Sequence, residues 1–268
     1  LPLSAFSANL SKLIARMVQL IVNKQRVTLN CDMGESFGNW KMGSDELVMP
    51  WVDMANIACG FHASDPSVMS KTVALAKHYK VKIGAHPGYQ DLVGFGRRSI
   101  PHTPAQISEI VLYQVGALKA VCQYHDVPLH YVKPHGALYN DMMESETIFR
   151  AICEAVSIFG IPLMILATSD NQRYLDIADI YDVPLLFEAF ADRQYQEDGK
   201  LTPRSQANAV YHQPENIYNQ ALQIATYGSV NTANGTRLSL EADTICVHGD
   251  NPESIALVQR VSQAIAKM

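Results

Sequence analysis

Apolar residues along the chain fall into two alternating kinds of run. Short stretches rich in β-branched and aliphatic side chains occupy Val27–Cys31, Met54–Cys59, Val81–Ala85, Leu129–Lys133, Leu163–Ala167, Leu185–Phe190 and Thr244–Val247. Continuous apolar runs of this length match strands covered on both faces. Longer stretches with helical spacing separate them. One runs from Asp65-Pro66 to about Tyr79, where Asp is a good N-cap and Pro suits the first turn. A second opens at Thr103-Pro104 and continues to about His125, with Ile107, Val111, Leu112, Val115 and Leu118 on one face. Further helices are predicted over Glu146–Phe159, Asn171–Ile180, Pro214–Tyr227 and Asn251–Ala266.

Strands that alternate with helices make a parallel sheet, either closed as a barrel or open and doubly wound. Two segments break the pattern. Gly228–Leu240 carries Asn234-Gly235 between alternating residues, a hairpin signal. Asp192–Gln213 is long, polar and without period, which fits a functional loop.

The 268 residues suit one large α/β domain, since barrels of roughly 250 residues form a single core. At 48% hydrophobic and 18% charged the chain has enough apolar surface to fold. A net charge of −5 with no basic block argues against a nucleic-acid groove. No apolar run reaches the ~18 residues of a membrane span. Five cysteines with no CxxC pair argue against a disulfide framework and point to a reducing, cytoplasmic setting. Residues 1–26 hold Lys12, Arg16, Lys24 and Arg26 but no acid, and lack a compact apolar core followed by a cleavage site. They read as an extension, with an extra helix as one form, outside a single barrel domain over residues 27–268.

Residues able to do chemistry recur where the predicted strands end. These are Asp32 and Glu35 after the first; Asn56, His62 and Asp65 after the second; and His86 and Tyr89 after the third. Lys133 and His135 follow the fourth, Asp192 and Arg193 the sixth, and His248 and Asp250 the seventh. Parallel strands put all these ends on one face, where barrels carry their active sites. Strand parity places Asn30 with Asp32, Lys133 with His135, Glu188 with Asp192 and His248 with Asp250, while His130 falls on the other side. A lone histidine after a strand is usually scaffolding; four at four strand ends favour substrate chemistry for at least two. Lys133 is either an ion-pair partner of Asp32 or Glu188, or a stabiliser of developing negative charge. Arg97-Arg98, after Gly94-Phe95-Gly96, form either a bidentate clamp for a carboxylate or phosphate, or part of a solvated loop. Asp32, His62, His86 and His135 are of the types that ligate metals, so a divalent metal stays open, though no i, i+4 pair supports it. There is no phosphate loop, nucleophile elbow, HExxH or complete GxGxxG.

Eight blocks taken in order, namely LNCDMGE (29–35), NIACGFHASD (56–65), GAHPGY (84–89), GFGRR (94–98), VKPHGALY (132–139), FADR (190–193), PRS (203–205) and CVHGD (246–250), resemble the LamB/YcsF family from Val27 to the C-terminus. Met33 and Ser64 depart from the residues usual there, Leu and Gly. The resemblance implies an irregular seven-stranded barrel of the glycoside hydrolase/deacetylase type. It also implies a role as the A subunit of an ATP-dependent 5-oxoprolinase, which opens the small lactam 5-oxo-L-proline to L-glutamate alongside subunits B and C. On that reading ATP is a co-substrate of the complex. Asp32, Glu35, His62, Lys133, His135 and His248 are the catalytic candidates, with Asp32 and His62 preferred as the acid/base pair and His135 or His248 as alternative. Asn56, Asp65, His86, Tyr89, Arg97, Arg98, Asp192, Arg193 and Asp250 are expected to bind substrate. Two rivals are a metal-dependent deacetylase of an N-acetylated sugar, by fold analogy, and a non-catalytic scaffold subunit.

Overall fold

A computed structural model describes residues 26–249 and 251–268. The N-terminal extension, its candidate helix and Asp250 therefore lie outside the described residues. Seven parallel strands close into a barrel: β1 (Thr28–Met33), β2 (Met54–Ala58), β3 (Lys82–His86), β4 (Leu129–Val132), β5 (Leu163–Leu166), β6 (Leu185–Phe190) and β9 (Thr244–Cys246), with β9 pairing both β6 and β1. The seven predicted strands are thus found. The hairpin is found too, as β7 (Ser229–Asn231) and β8 (Arg237–Ser239), an antiparallel pair outside the barrel.

Helices cover the barrel: α1 (Asp45–Val48), α2 (Pro66–Tyr79), α3 (Pro104–Tyr124), α4 (Gly136–Glu144), α5 (Glu146–Ser157), α6 (Asn171–Ala178), α7 (Pro214–Tyr227) and α8 (Pro252–Ile265). Local chemistry explains their starts. Asp65 accepts from the Ser67 and Val68 amides at the head of α2, and Thr103 and Gln106 form a reciprocal capping box on α3. Helices α1 and α4 were not anticipated. α4 starts one residue after His135, which gives no side-chain cap, so it lacks the usual entry signature.

Alternation along the strands sorts residues into two sets. Leu29, Cys31, Ile57, Ile83, Ala85, Val132, Leu163, Ile165, Ala189 and Ile245 pack outward into the large core beneath the helices. The other parity fills the interior in layers, as barrels do. Met54, Tyr131 and Met164 make a small apolar plug, with Leu186 against it. Two residues further along come Asn56, Lys133 and Glu188, all buried, and near them Asn30, Thr244 and Cys246. The Tyr131 ring crosses to β3 over Gly84, where a Cβ would collide with it. The β3–β4 register shifts at this place, and outward His130 accepts a hydrogen bond from the Ile83 amide.

Candidate active site

Lys133 is the centre of the polar layer. Its ammonium, 3% exposed, lies 3.0 Å from Glu188 Oε2 and 3.2 Å from Asp32 Oδ1, donates to Asn30 Oδ1 at 3.2 Å, and sits 3.4 Å from Cys246 Sγ. Burial works against its charge, but Asp32, Cys246 and Glu188 outweigh it and hold the lysine well above its ordinary pKa. Asn56 donates to both Asn30 Oδ1 and Asp32 Oδ1, and the Tyr131 hydroxyl donates to Asn56 Oδ1. Burial likewise opposes ionisation of Asp32, yet His86 and Lys133 beside it keep its carboxyl well below the usual range.

Beside this layer stands a group of three imidazoles. His86 Nδ1 lies 2.7 Å from the Lys133 carbonyl, and His135 Nε2 lies 2.8 Å from the Phe95 carbonyl. Their other nitrogens, His86 Nε2 and His135 Nδ1, face each other at 2.9 Å. His62 stacks on His135 with ring centroids 3.7 Å apart and planes 4° from parallel. Glu35 Oε1 is 3.8 Å from His62 Nε2 and 4.0 Å from His135 Nδ1. Burial lowers the pKa of His62 well below normal and pushes His135 down to about 3. The Gly94–Arg98 loop closes over this group rather than forming a phosphate loop. Gly96, at φ 63°, packs so tightly that a Cβ would meet His62 Cβ at 2.7 Å and His135 Cδ2 at 2.8 Å.

A cleft of about 430 Å³ opens onto the polar layer, walled by Asp32, His86, Lys133, His135, Phe190 and His248, with Arg97, Arg193 and Arg204 around it. His248 Nδ1 lies 3.0 Å from Asp192 Oδ2. Arg97 and Arg204 have no ion-pair partner among the described residues, whereas the Arg193 guanidinium donates to the Ala209 and Thr202 carbonyls and pins the 192–213 loop. A neighbouring cavity of about 240 Å³ shares Arg97, Arg204 and His248 and reaches Asp192.

The sequence-predicted residues divide accordingly. Asp32, His86, Lys133, His135, His248, Arg97 and Arg193 reach the cleft, with Asp192 next to it and Asn56 beneath Asp32. His62 is at the same barrel end but behind His135, without a place on the cleft wall, because the Gly96 loop seals it in. Three of the expected binding residues lie off the cleft wall, engaged elsewhere. Asp65 is committed to capping α2 and to the Gly38 amide. Tyr89 is buried, with its hydroxyl on Asp141 and its ring on His102. Arg98 turns outward to Asp91, which splits the expected arginine pair and leaves Arg97 as its one member at the cleft. Sequence reasoning passed over Arg204, although it stood in the PRS block, and Cys246, one strand step below His248.

Two groups of side chains among the described residues have the donor types and spacing to hold a metal ion: Glu35, His62, His86 and His135, and Asp32, Cys246 and His248. Among the described residues, no helix is long and apolar enough to cross a membrane.

The LamB/YcsF family model matches residues 27–268, the whole span that holds the barrel and its polar mouth. The chain belongs to the LamB/YcsF family. It is 98% identical over 247 residues to a Vibrio vulnificus (strain YJ016) protein named as the A subunit of 5-oxoprolinase, covering 92% of this chain and 100% of that protein. It is 62% identical over 244 residues to the protein of the same name from Vibrio cholerae serotype O1, covering 91% and 99% of the two chains. The crystal structure of the lactam utilization protein from Thermus thermophilus superposes with a TM-score of 0.83 at 39% identity, covering 90% of this chain and 98% of that one.

Proposed function

We propose that this chain is the lactam-binding subunit of an ATP-dependent 5-oxoprolinase, acting with subunits B and C to open 5-oxo-L-proline to L-glutamate in the cytoplasm. The observation that carries the reading is the cleft itself: a buried ammonium and His248, paired with Asp192 just beside the cleft, face one space, with Arg97 and Arg204 at its rim. A five-membered lactam carrying a carboxylate needs these parts. An arginine, Arg97 or Arg204, holds the carboxylate. Lys133 stabilises negative charge that develops at the ring carbonyl.

The lactam is an unstrained amide, so coupling to ATP supplies activation. Transfer of the γ-phosphoryl group to the amide oxygen makes the ring carbon electrophilic. Water adds there and loses its proton to a base, and the carbon–nitrogen bond breaks as the nitrogen takes a proton. The resulting acyl phosphate is hydrolysed to glutamate and phosphate, so one ATP and two waters are consumed per ring. His248, oriented by Asp192, is the proton-moving group in this arrangement, in place of the sealed-in His62. The relatives named as the A subunit of 5-oxoprolinase support this reading over a sugar deacetylase. A glutamate-release assay with 5-oxoproline and ATP tests it. The isolated chain should turn over very poorly, and adding both partner subunits should give ADP and glutamate in step. Robust turnover by this chain alone would contradict the division of labour, and absence of glutamate from the full set would sink the lactam reading.

A further inference from the structure

The imidazole group beside Lys133 has a hydrogen-bonding arrangement that its own atoms do not complete. A carbonyl oxygen only accepts, so the Lys133 carbonyl requires the proton of His86 on Nδ1, and the Phe95 carbonyl requires that of His135 on Nε2. Neutral rings so placed leave lone pairs on His86 Nε2 and His135 Nδ1, which face each other across 2.9 Å, while the Asp32 carboxylate stands 3.4 Å from the same His86 nitrogen. Two acceptors at that distance repel unless something positive joins them. His62 adds to the imbalance. It is 1% exposed and neither of its ring nitrogens has a hydrogen-bond partner among the described residues, although a buried polar group left so costs roughly 1–3 kcal/mol. Its Nε2 is directed toward Glu35 Oε1 at 3.8 Å, too far for a hydrogen bond.

We propose that His62, His86, His135 and Glu35 bind one divalent transition-metal ion of the zinc type. Their donor atoms lie within 4.8 Å of one another, and they come from the ends of the neighbouring strands β1 to β4. Tetrahedral ligands about 2.0–2.1 Å from zinc stand roughly 3.4 Å apart. The distances of 2.9, 3.8 and 4.0 Å bracket that value. Three imidazoles and one carboxylate suit zinc, cobalt or nickel better than magnesium or calcium, which take oxygen ligands. The protons fixed by the two backbone carbonyls are the outer-sphere bonds that orient metal-binding histidines.

One ring must move. An ion in the plane of His135 is out of the plane of the parallel His62 ring stacked on it. His135 is tied to Phe95 and His86, while His62 is tied by no hydrogen bond, so His62 turns on loading. The second group, Asp32 with Cys246 and His248, takes no ion, because the Lys133 ammonium already lies against Asp32 and Cys246. Of the four ligands, His86 and His135 reach the cleft wall, so the ion meets the cleft beside Asp32.

The site stands independently of the lactam reading, and its test needs no substrate. The tag-free chain is stripped with chelator, dialysed against Zn2+ or Co2+, and assayed for bound metal by mass spectrometry and calorimetry. The expected result is close to one equivalent per chain, a thermal midpoint that falls on stripping and returns with Zn2+, and a visible Co2+ spectrum of a nitrogen-rich site. Glu35→Gln, on a partly exposed residue, should weaken binding by tenfold or more without loss of far-UV circular dichroism. His62→Gln should do the same and alter the Co2+ spectrum. If the stripped chain takes up no more metal than these variants, and chelator leaves its melting unchanged, the proposal is overturned. The His86–His135 contact then holds a shared proton.

Discussion

Replacing Lys133 by methionine removes an ammonium that touches two buried acids while keeping most of its volume. Glu188 is fully buried, and Asp32 is 16% exposed at the side chain, so the loss strands negative charge inside the barrel. Breaking a buried ion pair from one side costs about 3–5 kcal/mol, and for a chain of this size roughly 10 °C or more in melting temperature. Against a total stability of about 5–15 kcal/mol the variant still folds. Turnover should fall by ~100-fold or more if the ammonium also stabilises transition-state charge, but the single variant alone does not separate that role from the folding defect. The double variant Lys133→Met/Glu188→Gln does. Neutralising Glu188 removes the deeper stranded carboxylate, while Asp32 keeps its hydrogen bond from Asn56 and its neighbour His86. Its denaturation midpoint should recover at least half of the loss, and glutamate release by the reconstituted complex should stay as low as in the single variant. Recovery of turnover in step with stability would refute the electrophilic role and leave Lys133 as an ion-pair partner only.

Asp65→Ala should cost about 1 kcal/mol as a lost helix cap and leave the KM for 5-oxoproline unchanged; a raised KM would return Asp65 to the substrate site. Gly96→Ala should lower the thermal midpoint sharply, because its Cβ meets His62 and His135 at a positive φ; an unchanged melt would show that the loop does not seal the imidazoles. Burial raises the pKa of Asp192, but His248, Arg204 and Arg193 overcome it and the net shift is downward. A group with a depressed folded pKa stabilises above its unfolded value, so the advantage of the native chain over Asp192→Asn should be full near pH 7. It should shrink as acid titration passes below about pH 4; a gap that widens in acid would contradict the His248–Asp192 pairing.

Much of the barrel was legible because period and position carry the same information. Each strand's two parities assign Leu29 and Cys31 to the outer core and Asn30 and Asp32 to the interior, and parallel strands bring their ends together whatever the helices do. What alternation does not encode is the use made of a polar side chain once the chain has turned. Asp65 read as a site residue and equally as an N-cap, and the cap prevailed because Pro66 and the Ser67 and Val68 amides lie next to it. Arg97 and Arg98 are adjacent, yet only a tertiary partner, Asp91, decides which one faces out. Arg204 lies in an aperiodic loop whose path depends on Arg193 holding the Thr202 and Ala209 carbonyls. Helix α4 escaped notice for a related reason, since no side chain caps it and the strand-end sequence runs straight into it.

Asp32 touches both polar groups of the barrel mouth, and this decides what it can do. Oδ1 accepts from Asn56 and meets Lys133, while Oδ2 lies 3.4 Å from His86 Nε2. Those neighbours hold the carboxyl ionised well below neutral pH despite its burial. A carboxylate stabilised so strongly is a poor base and has no proton to give. On the proposed function its contribution is positional: on the cleft wall it holds the Lys133 ammonium on one side and faces His86 Nε2 on the other. On the proposed function, proton transfer falls to a group with an exposed edge on the cleft and an acid beside it to orient it. His248 meets that requirement, with 26% of its side chain exposed and Asp192 at 3.0 Å. Asp32→Asn should accordingly lower kcat by ~100-fold through misplacement of Lys133 while leaving the acidic limb of the pH–rate profile where it was. His248→Gln should remove that limb. A profile that shifts with Asp32→Asn and not with His248→Gln would reverse the two roles.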